Sequence, residues 1–120
     1  MDIELLREYC LSLPGTEEDL KWGENLCFML EQKIYALASL DTGSLTFKCN
    51  PEEFEELTAR DGIQQASHFA KTQWITLMDY DVMADGELKK RIAESRLSVM
   101  AKLPKKIQEK YSQQGEDKRK

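Results

Sequence analysis

Eight cations stand within 22 residues near the C-terminal end: Lys89, Lys90, Arg91, Arg96, Lys102, Lys105, Lys106 and Lys110, opposed there only by Glu94 and Glu109. Lysines and arginines spaced this way along a helix can neutralise successive backbone phosphates, which gives affinity without much sequence choice. The same cations can instead complement the C-terminal end of a helix dipole and the chain's own acidic surface. The residues alone favour this second account, because the formal net charge is −5 and the pI is near 5.0. That charge is unevenly placed. Residues 1–70 carry 5 Lys/Arg against 14 Asp/Glu, and residues 71–120 carry 12 against 8. An acidic face and a basic strip follow, which bears on partners rather than on fold.

Catalytic spacing is missing elsewhere. His68, the only histidine, has no nucleophile or carboxylate at a motif distance, and no Ser-His-Asp, Cys-His-Asn or Ser-x-x-Lys set can be assembled. There is no phosphate-binding glycine loop. Asp79-x-Asp81-x-x-x-Asp85-Gly86 has the outline of a calcium loop. It fails because Met83 and Ala84 fall where the third ligand and the glycine belong. Asp2, Glu4, Glu8, Glu17, Glu18 and Asp19 form an acidic ridge able to attract hard cations weakly but not to cage one. Trp22 and Trp74 read as sheet packing before they read as stacking platforms. The expectation is no enzyme, no cofactor and no resident metal.

The elements that must carry these groups are legible in outline. Asp2 caps a first helix whose apolar stripe is Ile3, Leu6, Cys10 and Leu13, stopped by Pro14-Gly15. From Thr16 to Asn50 the period shortens into strands near Asp19–Trp22, Leu26–Leu30, Ile34–Leu40 and Ser44–Cys49. Short breaks such as Asp41-Thr42-Gly43 demand antiparallel pairing. Asn50-Pro51-Glu52-Glu53 opens a second helix as a capping box. A strand follows over 73–78, and then a helix from Gly86 to Leu103 capped by Asp85, with Leu88, Ile92, Val99 and Leu103 inward and Pro104 ending or kinking it. The expected fold is α+β: an antiparallel sheet with helices packed on one face, in the order helix, meander, helix, strand, helix. Residues 1–111 form one domain, and 112–120 read as a disordered polar tail.

Three widely spaced cysteines (Cys10, Cys27 and Cys49) without a C-x-x-C pair point to reduced thiols and a cytoplasmic protein. An acidic N-terminus running directly into a helical pattern argues against a signal peptide, and no apolar run is long enough to span a bilayer.

Six short motifs then stand in order over residues 3–110: Leu13-Pro14-Gly15, Lys21-Trp22-Gly23, Lys33-Ile34-Tyr35-Ala36, Leu45 to Glu52, Lys71-Thr72-Gln73-Trp74 and Leu103-Pro104-Lys105. Together they resemble the MmcQ/YjbR family of bacterial proteins. The resemblance implies a fold similar to CyaY, the bacterial frataxin, and DNA binding as the family's inferred activity, with no enzymatic reaction. It also draws in Lys21, Lys33, Lys48, Lys71 and Trp74 on or beside the sheet edges. The chain departs from the family's pattern twice: Gln73 stands where members show His, and Arg96 follows Ser95 where they show Tyr.

The leading expectation is a small binding protein, monomeric, with DNA phosphates met by Lys71, Lys89, Lys90, Arg91, Arg96, Lys102, Lys105 and Lys106. The second is a protein-interaction module docking an acidic partner or another copy of itself. The third is weak frataxin-like metal binding by the acidic ridge.

Overall fold

The computed structural model describes residues 1–111; the tail expected over 112–120 lies outside them. Helix α1 (Ile3–Ser12) starts where the Asp2 carboxylate accepts the Leu5 N–H at 2.9 Å, and it buries Leu6 and Cys10. Four strands follow as a meander: β1 (Glu17–Lys21), β2 (Asn25–Leu30), β3 (Lys33–Ser39) and β4 (Leu45–Lys48). The β2–β3 turn is Glu31-Gln32, with φ of 47° and 66°. A two-residue turn with both φ positive matches the twist of the flanking strands, here without the usual glycine or asparagine.

After β4 the Asn50 side chain accepts the Glu52 N–H at 2.9 Å and starts a 3-10 turn that leads into α2 (Phe54–Thr58). The expected capping box does not close, because the Glu53 carboxylate pairs with Arg91 at 3.3 Å. The chain then lays down a short edge strand, β5 (Ile63–Gln65), and returns as β6 (Trp74–Leu77) between β5 and β4. The sheet order is β1-β2-β3-β4-β6-β5, antiparallel throughout.

Helix α3 spans Asp85–Met100 and ends three residues earlier than Leu103. Asp85 does not cap it; its carboxylate takes the N-terminal ammonium at 3.1 Å. Beyond Pro104 the chain turns into a further helix, α4, over residues 105–111. The basic strip is therefore divided between two helices rather than carried on one.

Among the described residues all four α-helices pack on one face of the sheet, which confirms the α+β expectation. The main core joins Leu6 and Cys10 of α1, Leu57 of α2, Leu88, Ile92 and Val99 of α3 and Tyr111 of α4 to Phe28, Leu30, Tyr35, Phe47, Ile75 and Leu77 of the strands. Truncating one of the buried aromatics to alanine costs about 3–5 kcal/mol. The opposite face carries only a small cluster, Cys27, Met29 and Leu37 with Ile34 and Phe69 against it. All three cysteines are free thiols. Among the described residues no helix is long and apolar enough to cross a membrane.

One irregularity positions everything that follows. In the β2–β3 ladder Phe28 faces Ala36 but Met29 faces Ile34, so Tyr35 is an extra residue on β3. A bulge of this kind bends the strand and leaves one residue outside the ladder. The β3–β4 pairing correspondingly stops at Ala36 and Phe47. Ser95 of α3 fills the gap: it donates to the Tyr35 carbonyl at 2.6 Å and accepts the Lys48 N–H at 3.0 Å. The Tyr35 ring is fully buried, and its hydroxyl is satisfied by Thr16 at 2.7 Å and the Cys10 carbonyl at 3.3 Å.

Candidate functional site

Where β3 and β4 part, two clefts of about 520 and 480 Å³ adjoin. Lys48, Gln73 and Lys102 line both. Lys33, Trp74 and Leu103 close one side, and Asn50, Glu94 and Ser98 the other. Lys48 is the last residue of β4, Lys102 follows the end of α3, and Lys33 opens β3. The bulge at Tyr35 and the Ser95 bridge thus set the spacing of three cations drawn from three elements.

Lys48 is only 9% exposed. Burial, together with the neighbouring Lys102 ammonium, holds its pKa below the usual lysine value. Neither Lys48 nor Lys102 has a carboxylate within ion-pair distance among the described residues. An ammonium partly withdrawn from water and facing a like charge is unfavourable unless an anion arrives, and such arrangements concentrate at functional sites. Trp74 adds an aromatic wall, its ring centroid 4.5 Å from that of Phe69.

The other expected site residues divide by location. Lys71 is exposed in the loop before β6, and Lys105 and Lys106 are exposed at the start of α4. Lys21 ends β1, paired with Asp19 at 3.7 Å. Lys89 lies over the Tyr9 ring at 5.6 Å, at the N-terminal end of α3, and Lys90 is exposed beside it. From there to Lys102 is 13 residues, so the strip does not converge on one point.

Two arginines leave the surface set altogether. Arg91 is held by Glu87 at 2.9 Å and Glu53 at 3.3 Å, inside a network that also takes Arg60. Arg96 is 6% exposed and donates through Nε and Nη2 to the Pro14 carbonyl, tying α3 to the turn after α1. These partners turn both guanidinium groups inward, away from the exposed lysines.

The acidic ridge is dispersed as well. Asp2 caps α1, Glu18 binds Arg7 and Asp19 binds Lys21. Among the described residues no three His, Cys, Asp or Glu side chains converge to hold a metal ion. The sequence alone does not single out Phe69, the pairing role of Glu87, or the dual hydrogen bonding of Ser95. The signal for Ser95 was a hydroxyl amid the apolar face of a helix, a position that requires a buried partner.

A family model for YjbR matches residues 11–97, from the second half of α1 to near the end of α3. The fold is similar to that of a Deinococcus radiodurans protein with a DUF419 domain, at a TM-score of 0.82 and 26% identity, covering 92% of this chain and 88% of that one. It is also similar in fold to a Pseudomonas syringae protein, at a TM-score of 0.66 and 22% identity over 79% of this chain and 96% of that one. No curated protein matches in sequence. With nearly three quarters of its length inside the family model, the chain belongs to the YjbR family.

Proposed function

We propose that this chain is a small non-enzymatic nucleic-acid-binding protein that takes backbone phosphates in the cleft between Lys33, Lys48 and Lys102. The observation that carries the reading is Lys48: a side chain only 9% exposed whose ammonium faces a second cation, with no carboxylate paired to it among the described residues. An anion entering the cleft offsets the cost of both the desolvation and the repulsion. Lys71, Lys105 and Lys106, exposed on the flanking loop and helix, extend the positive field beyond it. Trp74 stacked on Phe69 gives an aromatic surface that a sugar or base can meet without sequence choice.

The test is fluorescence anisotropy with labelled single-stranded and duplex DNA at about 50 and 200 mM salt, since each neutralised phosphate contributes roughly one power of salt dependence. Binding at low salt that falls steeply as salt rises supports the reading. No binding at low salt removes nucleic acid and turns attention to an acidic protein partner.

A further inference from the structure

We propose that the open face of the sheet, opposite the helices, carries a second site, for an uncharged planar heteroaromatic ligand. It borders the phosphate cleft at Phe69 but goes beyond it, because among the described residues no Lys, Arg, Asp or Glu lines it. The groove measures about 590 Å³, within the range of roughly 300–1,000 Å³ in which small-molecule sites fall. Its walls are Trp22, Leu37 and Phe69, and its polar groups include Asn25, Thr46 and Gln64.

The polar groups have bonding capacity to spare. Gln64 sits opposite Thr76 in the β5–β6 ladder and so shares its face; its carboxamide has no hydrogen bond among the described residues. Thr46, 7% exposed, shares one hydrogen bond of 2.7 Å with Thr76, which leaves the second hydroxyl proton of the pair to donate elsewhere. Asn25 spends its amide nitrogen on the Trp22 carbonyl at 3.1 Å and keeps its oxygen. A carboxamide with donor and acceptor side by side matches the edge of a ring that presents an acceptor beside a donor, as a purine does. Phe69 and Trp22 supply the stacking faces, and Trp22 is 70% exposed, a large apolar surface left in water.

Among the described residues no Lys, Arg, Asp or Glu is present to pair with a charged ligand, and a purely apolar one leaves Gln64 and the threonine pair unmatched, so a neutral ring with a hydrogen-bonding edge suits these groups.

Isothermal titration calorimetry of the full chain with adenosine, adenosine monophosphate and methyl glucoside tests the proposal. The expected result is saturable adenosine binding, no gain from the phosphate, and no binding of the glucoside. Gln64→Ala, on an exposed strand-edge side chain, weakens adenosine roughly tenfold without shifting Tm, the size of one lost edge contact. Lys102→Ala leaves adenosine binding unchanged while reducing DNA affinity, so the two sites succeed or fail separately. The proposal is overturned if adenosine gives no saturable heat, if Gln64→Ala binds it as well as wild type, or if the monophosphate alone binds and loses that binding in Lys102→Ala. Glucoside binding as tight as adenosine overturns the ring assignment in favour of a sugar.

Discussion

The Ser95 hydroxyl lies 3.0 Å from the Lys48 backbone nitrogen and accepts its N–H, in the place where a ladder bond to β3 is missing. The same hydroxyl donates to the Tyr35 carbonyl, so one helix side chain closes the gap opened by the bulge. Lys48 owes its position at the mouth of the two clefts to this bond.

Ser95→Ala leaves two buried backbone groups without partners. An unsatisfied buried group costs about 1–3 kcal/mol, so the variant is expected to lose roughly 2–6 kcal/mol in urea denaturation. A loss below about 0.5 kcal/mol, within the ordinary range for surface changes, contradicts the bridging role.

Gly15 and Gly43 separate backbone strain from crowding. Both have positive φ, 78° and 77°. A Cβ at Gly43 meets nothing within 4 Å, whereas one at Gly15 overlaps the Tyr111 ring. Gly43→Ala is expected to cost about 1–2 kcal/mol for the left-handed backbone alone. Gly15→Ala adds roughly 1–3 kcal/mol of overpacking and loosens α4, which thermal denaturation and proteolysis near residue 111 report. Equal losses at the two glycines contradict the Tyr111 contact.

Acid stability is expected to depend on Glu87. Hydrogen bonds from Arg60, then Arg91, hold its carboxyl below the usual range. A carboxyl depressed in the folded state contributes stability above its unfolded pKa, and that contribution disappears as pH falls through the folded value. Glu87→Gln therefore flattens the acid limb of a stability–pH curve while changing little on the alkaline side. An unchanged acid limb removes the network from the account.

For Lys48 the shift is also downward, but there it is the charged form that the fold disfavours. Its folded pKa lies below the unfolded one, so the charged form is penalised by the fold, and stability rises as pH climbs from the folded value toward the usual lysine value. Lys48→Met, which removes the charge at similar volume, is expected to be at least as stable as wild type at pH 7 and to lack that alkaline rise. Denaturation at several pH values decides this, and a clearly less stable variant at pH 7 contradicts the strain assigned to Lys48.

Much of this fold was legible because its signals are local. The Asp2 cap and the Pro14-Gly15 stop, the turn at Asp41-Thr42-Gly43 and the apolar spacing from Leu88 to Val99 all act within a few residues. What escaped is set by distant partners. β5 is three residues long, with Gln64 and Gln65 exposed, too short for an alternating pattern to register. The break at Pro104 was visible, but the helix beyond it is held by Tyr111 reaching Gly15 and Glu31 across the fold. For the candidate cleft, the sequence shows the cations but not which of them gather. Lys33, Lys48, Lys102 and Trp74 come together, while Arg91 and Arg96 turn inward to Glu53, Glu87 and Pro14, partners 38, 4 and 82 residues away.

The most direct measurement of the central claim compares DNA affinity for Lys102→Glu, at the cleft, with Lys90→Glu, which carries the same charge change at the other end of α3. The predicted result is that Lys102→Glu weakens binding at least about tenfold and lowers the salt dependence by roughly one power or more, while Lys90→Glu stays close to wild type. Equal losses in the two variants, or no loss in Lys102→Glu, contradict a phosphate site between Lys33, Lys48 and Lys102.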